Sequence, residues 1–322
     1  MSKRSFGYKL KELEGMLKGS VLWNEPMSRH TSYGIGGPAR AFFFPANEDD
    51  LQMIFQTAHE NNIQTYFIGS GSNLLVSDTG FDGFIISLTK HFRTLIIEGT
   101  RVLTQGGTMM GHFVKECLKK NLKGIESLVG VPGTVGGALR MNAGAYGFEI
   151  SNFLESVTVL TSAGEKKQYK KEDLTFSYRY SSLPNDEVIL SAKFEFEKGH
   201  EEEIQALRAQ ASKKRKSTQP LRFRSAGSVF KNPPDAKPAG YLIEKAGVKG
   251  IRHGDAEISP KHANFILNHG KSSSEDIAWL IRLARKAVQE KFGVELELEI
   301  KTVGFPPDHF KTQVTNPVEN IN

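Results

Sequence analysis

The chain has 322 residues, 39% hydrophobic and 24% charged, with a formal net charge of +6. That balance suits one large soluble domain or two to three modest ones, and no run approaches the roughly 18 apolar residues of a membrane span. A single cysteine, Cys117, excludes an internal disulfide framework and fits a reducing cytoplasm.

In chain order, MSKRSFGYKLKELEGML carries charge without an apolar core, so no secretory signal is expected. Residues 8–18 read as an amphipathic helix with Leu10, Leu13 and Leu17 on one face. A strand over 39–47 stops at Pro45, and a helix follows that turns Leu51, Ile54, Phe55 and Ala58 inward. QTYFIG is a short strand that ends in the turn Gly69–Asn73; LLVS and FDGFIISL continue extended. RTLIIE and RVLTQGG form a hairpin around Gly99, and TMMGHFVKECLKKN is helical, with Cys117 read as an inert core thiol.

The stretch 124–147, GIESLVGVPGTVGGALRMNAGAYG, holds seven glycines. A core helix or strand would not tolerate that density, because glycine costs backbone entropy and packs nothing. Outward-turned N–H groups in such a run make a concave anion site suited to a pyrophosphate. From 151 onward, two strands flank a turn at Ala163-Gly164, and 188–198 alternates with the period of a strand wet on one face. A helix over 201–218, acidic first and basic last, suits the helix dipole and is read as a connector between domains. A helix near 239–246 follows. In the next helix Ser273 and Asp276 have capping-box spacing, ahead of a buried stripe of Ile277, Leu280, Ile281, Ala284 and Val288. VELELEIKTVG reads as a final strand and 305–322 as a loose tail. Many strands with helices interspersed, without regular βαβ alternation, argue for an α+β fold. No complete GxGxxG is present, so the Rossmann fingerprint is missing.

Several constellations could carry chemistry. Gly69, Ser70, Gly71, Ser72 and Asn73 form one candidate loop for a dinucleotide; Gly130, Pro132, Gly133, Thr134, Gly136, Gly137, Asn142, Ala143 and Gly144 form the other. Ser228 in AGSVFKNP is either a turn serine or a proton donor to a carbanion. Arg179, flanked by Tyr178 and Tyr180, either stacks at a rim or clamps a carboxylate. Glu295, Glu297 and Glu299 share one strand face by period two, as a wet acidic face or as the source of a positioned carboxyl. Lys213, Lys214, Arg215 and Lys216 are a solvated helix end or an attractor for a small anion. No basic stripe with interleaved aromatics points to nucleic acid, and neither CxxC nor HExxH supports zinc.

The ordered set HTSYGIGGPA, IGSGSNLLVSDTGFDG, VGVPGTVGGALRMNAGAYG, FSYRYSSL, AGSVFKNP, AGYLIEKAGVKG, HANFILN and EIKTVG resembles the UDP-N-acetylenolpyruvoylglucosamine reductases, in their shorter, type II form, from about Ser28 to Gly304. The resemblance implies an α+β protein. Its FAD-binding domain, of the PCMH (vanillyl-alcohol-oxidase) type, lies in two subdomains over 21–200, after an N-terminal helix over 1–20. A connecting helix over 201–218 leads to a C-terminal substrate-binding domain over 219–304. It implies non-covalent FAD reduced by NADPH, then hydride transfer from flavin N5 to C3 of the enolpyruvyl group of the UDP-sugar and proton delivery to C2. By motif, Ser228 is the proton donor, Arg179 and Glu299 polarise the carboxylate and stabilise the enolate, and Tyr178, Lys231, Asn232 and His262 contact substrate. The glutamate could also be Glu297. Arg224 stands where the family commonly has proline, and Gly254-Asp255 replaces Gly-Gly. A cytoplasmic monomer active in peptidoglycan precursor synthesis is expected. A flavin oxidase of the same fold, or a non-catalytic nucleotide-binding protein, are the rival readings.

Overall fold

The computed structural model describes residues 3–145 and 147–311, with side chains from Leu10 onward. Its first lobe is a four-stranded sheet in the order Ser20–Pro26, Pro38–Phe44, Phe81–Ser87, Thr65–Ile68. The first pair is antiparallel and the other two are parallel. The helix Glu48–Glu60 covers it. Asn47 starts that helix by accepting a hydrogen bond from the Asp50 N–H, at 3.0 Å, and three acidic residues sit in its first turn. Leu51, Ile54, Phe55 and Ala58 face inward as the periodicity predicts. Leu10 and Leu13 of the helix Lys3–Met16 join the same core.

The second lobe is a five-stranded antiparallel sheet in the order Lys166–Lys170, Leu154–Leu160, Val188–Glu195, Arg101–Gln105, Leu95–Glu98. Gly99, at φ +62°, makes the expected hairpin turn. The helix Met110–Lys119 packs Phe113, Val114, Cys117 and Leu118 into this lobe's core. The glycine-rich run departs from the expectation of irregular backbone. Thr134 caps a short helix, Val135–Arg140, accepting from the Gly137 N–H at 3.2 Å. Glycine is tolerated there because the helix lies hard against main chain: the Gly136 N–H donates to the Gly106 carbonyl at 2.9 Å.

The helix Glu201–Thr218 buries only Ile204 and Ala211 and leads to a third lobe. There the helices Ala239–Lys245 and Ser274–Phe292 cover a three-stranded antiparallel sheet of Arg252–His253, Ala256–Ile258 and Ile266–Asn268. The long helix carries the predicted capping box between Ser273 and Asp276 and ends at Gly293 with φ +66°. The expected final strand shrinks to Lys301–Val303, which pairs in parallel with Leu74–Val76 of the first lobe. Residues 293–300 form no strand beyond an isolated antiparallel bridge of Leu298 with Phe230, and the three glutamates end in different surroundings, Glu295 and Glu297 exposed and Glu299 largely buried. The loose tail is also corrected for 305–311. Phe310 is buried beside Leu296 and Ile300, and its carbonyl accepts from Arg285 Nη1 at 2.8 Å. Residues 312–322 lie outside the described residues. Among the described residues, no helix is long and apolar enough to cross a membrane.

Candidate active site

The two glycine loops meet. A Cβ on Gly69 would stand 2.6 Å from Thr134 Oγ1, and one on Gly133 would stand 3.5 Å from Ser72 Oγ. Gly69, Thr134, Gly136 and Gly137 line one cleft, together with Gly106, Gly107 and Arg140. Gly71, at φ +66°, is pressed against the His30 carbonyl, so no side chain fits there. The Ser70 hydroxyl is buried without a hydrogen-bond partner among the described residues. A glycine-lined cleft at the start of a capped helix, with an unsatisfied hydroxyl on the residue after Gly69, fits the diphosphate part of a dinucleotide such as FAD. Gly130 and Pro132 lie further along the second loop; a Cβ on Gly130 would reach Arg215 Cδ at 3.2 Å, so the basic end of Glu201–Thr218 abuts this loop.

Asn142, Ala143 and Gly144 lie outside that cleft's lining and brace a neighbouring hairpin. Asn142 is buried, at φ +43°, and its Nδ2 donates to Glu149 Oε2 (2.6 Å) and to the Ser177 carbonyl (3.1 Å). Ala143 exchanges main-chain bonds with Ala138 and Ile150, and Gly144 pairs with Glu149. Ser181 Oγ adds a bond to the Arg140 carbonyl at 3.0 Å. The hairpin so held consists of Phe176–Ser177 and Tyr180–Ser181, with Tyr178 and Arg179 at its tip.

Arg179 adopts φ +57°, a left-handed conformation costing a non-glycine residue about 1–2 kcal/mol. It is held there by a distant carboxylate and by its neighbouring ring. Its Nε donates to Glu299 Oε1 at 2.6 Å, and its guanidinium lies 4.9 Å from the Tyr178 ring centre. Tyr178 Oη in turn accepts from the Asn232 N–H at 3.3 Å. Arg179 and Glu299 retain only 21% and 14% side-chain exposure. Burial pushes the Glu299 carboxyl above its ordinary range, against the opposing pull of Arg179 and Lys231.

Tyr178, Arg179, Ser228, Asn232, His262 and Glu299 line a single cavity of about 380 Å³, with Phe230, Tyr241, Glu244, Lys261 and Asn264. Ser228 is fixed there through its neighbour Val229, whose carbonyl accepts from the Glu299 N–H at 2.8 Å. Burial also pushes the His262 imidazole below its ordinary value. Lys231 is not in the lining: its ammonium pairs at 2.5 Å with Glu297, which is 71% exposed, while its N–H bonds the Glu297 carbonyl. Of the three glutamates, therefore, only Glu299 enters the cavity, while Glu295 pairs with Arg285 on the surface.

Asn264 was not singled out from the sequence, although an amide inside the apolar run ANFIL is a signal of a satisfied buried polar group. Its side chain accepts from the Phe230 N–H (2.9 Å) and donates to the Phe230 carbonyl (2.8 Å), so it imitates a strand neighbour. Arg140 was missed too. It donates to the carbonyls of Leu183, Pro184 and Glu187 at 2.6–2.7 Å. The two departures lie elsewhere in the third lobe: Arg224 packs against Gly34, and the Asp255 carboxylate accepts from the Lys271 N–H at 3.0 Å.

Residues 38–168 match the family described as FAD binding domain, and 219–303 match the C-terminal domain of UDP-N-acetylenolpyruvoylglucosamine reductase. The UDP-N-acetylenolpyruvoylglucosamine reductase of Caldanaerobacter subterraneus subsp. tengcongensis is 42% identical over 297 residues, 92% of this chain and 97% of that protein. A Bacillus cereus protein, UDP-N-acetylenolpyruvoylglucosamine reductase 2, is 42% identical over 89% of this chain and 94% of its own length. The crystal structure of the Thermus caldophilus reductase superposes with a TM-score of 0.76 at 34% identity, covering 89% of this chain and all of that one.

Proposed function

The chain belongs to the UDP-N-acetylenolpyruvoylglucosamine reductase family, and from that premise we propose that it uses NADPH and bound FAD to reduce UDP-N-acetylglucosamine enolpyruvate to UDP-N-acetylmuramate for peptidoglycan synthesis. The observation that carries this reading is one cavity shared by Arg179, Ser228 and Glu299. In the proposed organisation, the N-terminal helix Lys3–Met16 precedes a part over 21–200 that holds FAD, 201–218 connect, and 219–304 hold the UDP-sugar. The loop residues Gly69–Ser72 and the segment Gly130–Gly137 hold the dinucleotide, while the Asn73 amide is committed to the Glu299 carbonyl and Asn142, Ala143 and Gly144 brace the hairpin. When bound, FAD supplies the two-electron step, taking hydride from NADPH and giving it to C3 of the enolpyruvyl group.

The residues of the chain answer the charge that this addition creates. Negative charge builds at C2 and spreads into the adjacent carboxylate. The Arg179 guanidinium keeps donors free beyond the Nε committed to Glu299, and a preorganised, largely buried cation stabilises such charge. Glu299 holds that guanidinium in orientation. The Ser228 hydroxyl delivers the proton to C2; a serine is a weak acid, but it suffices against a carbanion of high basicity. Tyr178, Asn232 and His262 contact the remainder of the substrate from the cavity wall, and Lys231 contributes positive charge from its edge. The proposed state is a cytoplasmic monomer. The lone thiol fits a reducing compartment.

An anaerobic experiment tests the function. NADPH should bleach the yellow holoenzyme, and the enolpyruvyl substrate should restore its colour. Bleaching that persists after substrate is added would refute the assignment.

A further inference from the structure

Asn73 ends the glycine-serine loop, yet its side chain bonds the main chain at Glu299. Asn73 Nδ2 donates to the Glu299 carbonyl at 3.1 Å, across 226 residues of sequence. The Lys301 N–H donates back to the Asn73 carbonyl at 3.0 Å. One residue later the parallel ladder begins, with Lys301 opposite Leu74 and Val303 opposite Val76. Asn73 therefore extends that ladder by one rung, its amide standing where a strand neighbour would offer a backbone donor. On the other flank, the Glu299 N–H is held by the Val229 carbonyl at 2.8 Å, beside Ser228. Glu299 is thus pinned through its carbonyl by the first lobe and through its N–H by the segment that carries Ser228.

We infer that Asn73 is a positioning residue: through the Glu299 main chain, it sets the Glu299–Arg179 pair in register with the cofactor loop. The inference rests on the reductase reading and deepens it. With this bond removed, the loop keeps its glycines and hydroxyls, and the Lys301 to Asn73 main-chain bond remains. What loosens is the placement of the carboxylate. A displacement of about 1 Å in a reacting array costs on the order of 100-fold in rate, so the defect belongs to substrate reduction rather than to FAD capture.

The test uses anaerobic stopped-flow on holoenzyme, together with flavin-fluorescence titration of FAD. In Asn73→Ala, reoxidation of reduced flavin by the enolpyruvyl substrate should slow about 10- to 100-fold, at least ten times more than reduction by NADPH, with FAD affinity near the wild-type value. Combined with Glu299→Ala, the second substitution should add less than about twofold, because two residues acting through one group are non-additive. Asn73→Asp, equal in size but without the donor, should behave like Asn73→Ala and is read by the same criteria if the alanine variant does not fold. Equal slowing of both half-reactions, weakened FAD binding as the main effect, or an undiminished effect in the Glu299→Ala background would each overturn the inference. Wild-type enzyme that fails to reoxidise with substrate would instead overturn the reductase reading itself.

Discussion

Replacing Arg179 with methionine keeps the length of the side-chain stem and the strained backbone, and removes the charge beside Glu299. The contact of 2.6 Å between Nε and Oε1 sets the charge centres roughly 4 Å apart. Their attraction is then about 1 kcal/mol in water and about 4 kcal/mol at an effective dielectric of about 20. With side-chain exposures of 21% and 14%, the pair lies between these limits, at about 2–3 kcal/mol. The sign with pH follows from burial. Glu299 already has a raised carboxyl pKa. Its contribution to stability is therefore fully present below the unfolded carboxyl value and is lost as pH rises through the folded value. Without the opposing pull of Arg179 the folded value rises further, and the loss extends to higher pH. Arg179→Met should therefore melt about 5 °C below wild type at pH 8, and much closer to it at pH 5. Arg179→Met/Glu299→Gln should recover most of the difference at pH 8, since no charge is then left unpaired. Thermal unfolding between pH 5 and 8.5 checks this. A deficit that is the same at every pH, or one that Glu299→Gln does not relieve, would refute the electrostatic account.

Other outcomes follow from single contacts. Ser228→Ala should slow substrate-driven flavin reoxidation by about 100-fold or more while affecting reduction by NADPH far less; equal losses in both half-reactions would give Ser228 a binding or structural role. Gly69→Ala places a Cβ 2.6 Å from Thr134 Oγ1 and should force the two loops apart. Its FAD dissociation constant should rise about tenfold or more, which is about 1.4 kcal/mol, and an unchanged titration would contradict the shared cradle. Burial pushes the Cys117 thiol up to about 12, so the native protein should resist a disulfide reagent at pH 8 and react fully once unfolded. Rapid labelling of the native state would contradict its burial.

The sequence carried some elements on local physics alone. The capping box at Ser273 and Asp276, the apolar stripes of the helices Glu48–Glu60 and Ser274–Phe292 and the Gly99 hairpin are all specified by residues within a few positions of one another. Arg179, Ser228 and Glu299, which line one cavity, stand out one by one in their motifs, whereas Lys231, Asn142, Ala143 and Gly144 fall outside both cavities, and no local pattern shows how the first three assemble. Arg179 and Glu299 meet across 120 positions, and Asn264 grips Phe230 across 34. Such pairings leave no local period. The acidic run 295–299 shows the cost of reading one anyway: alternation suggested a shared strand face, whereas Arg285, Lys231 and Arg179 draw the three side chains to different places. The stretch after 304 looked loose because it is short and aperiodic. Yet the Phe310 side chain and its carbonyl, caught by Arg285, are enough to dock it. In the glycine run, what makes a helix of glycines acceptable is the distant main chain at Gly106, which no local pattern shows.

The most direct measurement is a crystal structure of the oxidised holoenzyme with the enolpyruvyl UDP-sugar bound. It should place the substrate carboxylate on the free donors of Arg179, with Ser228 Oγ within about 3.2 Å of the enolpyruvyl C2 or one water from it. A carboxylate held away from Arg179, with Ser228 and Glu299 both out of reach of the enolpyruvyl carbons, would contradict the account.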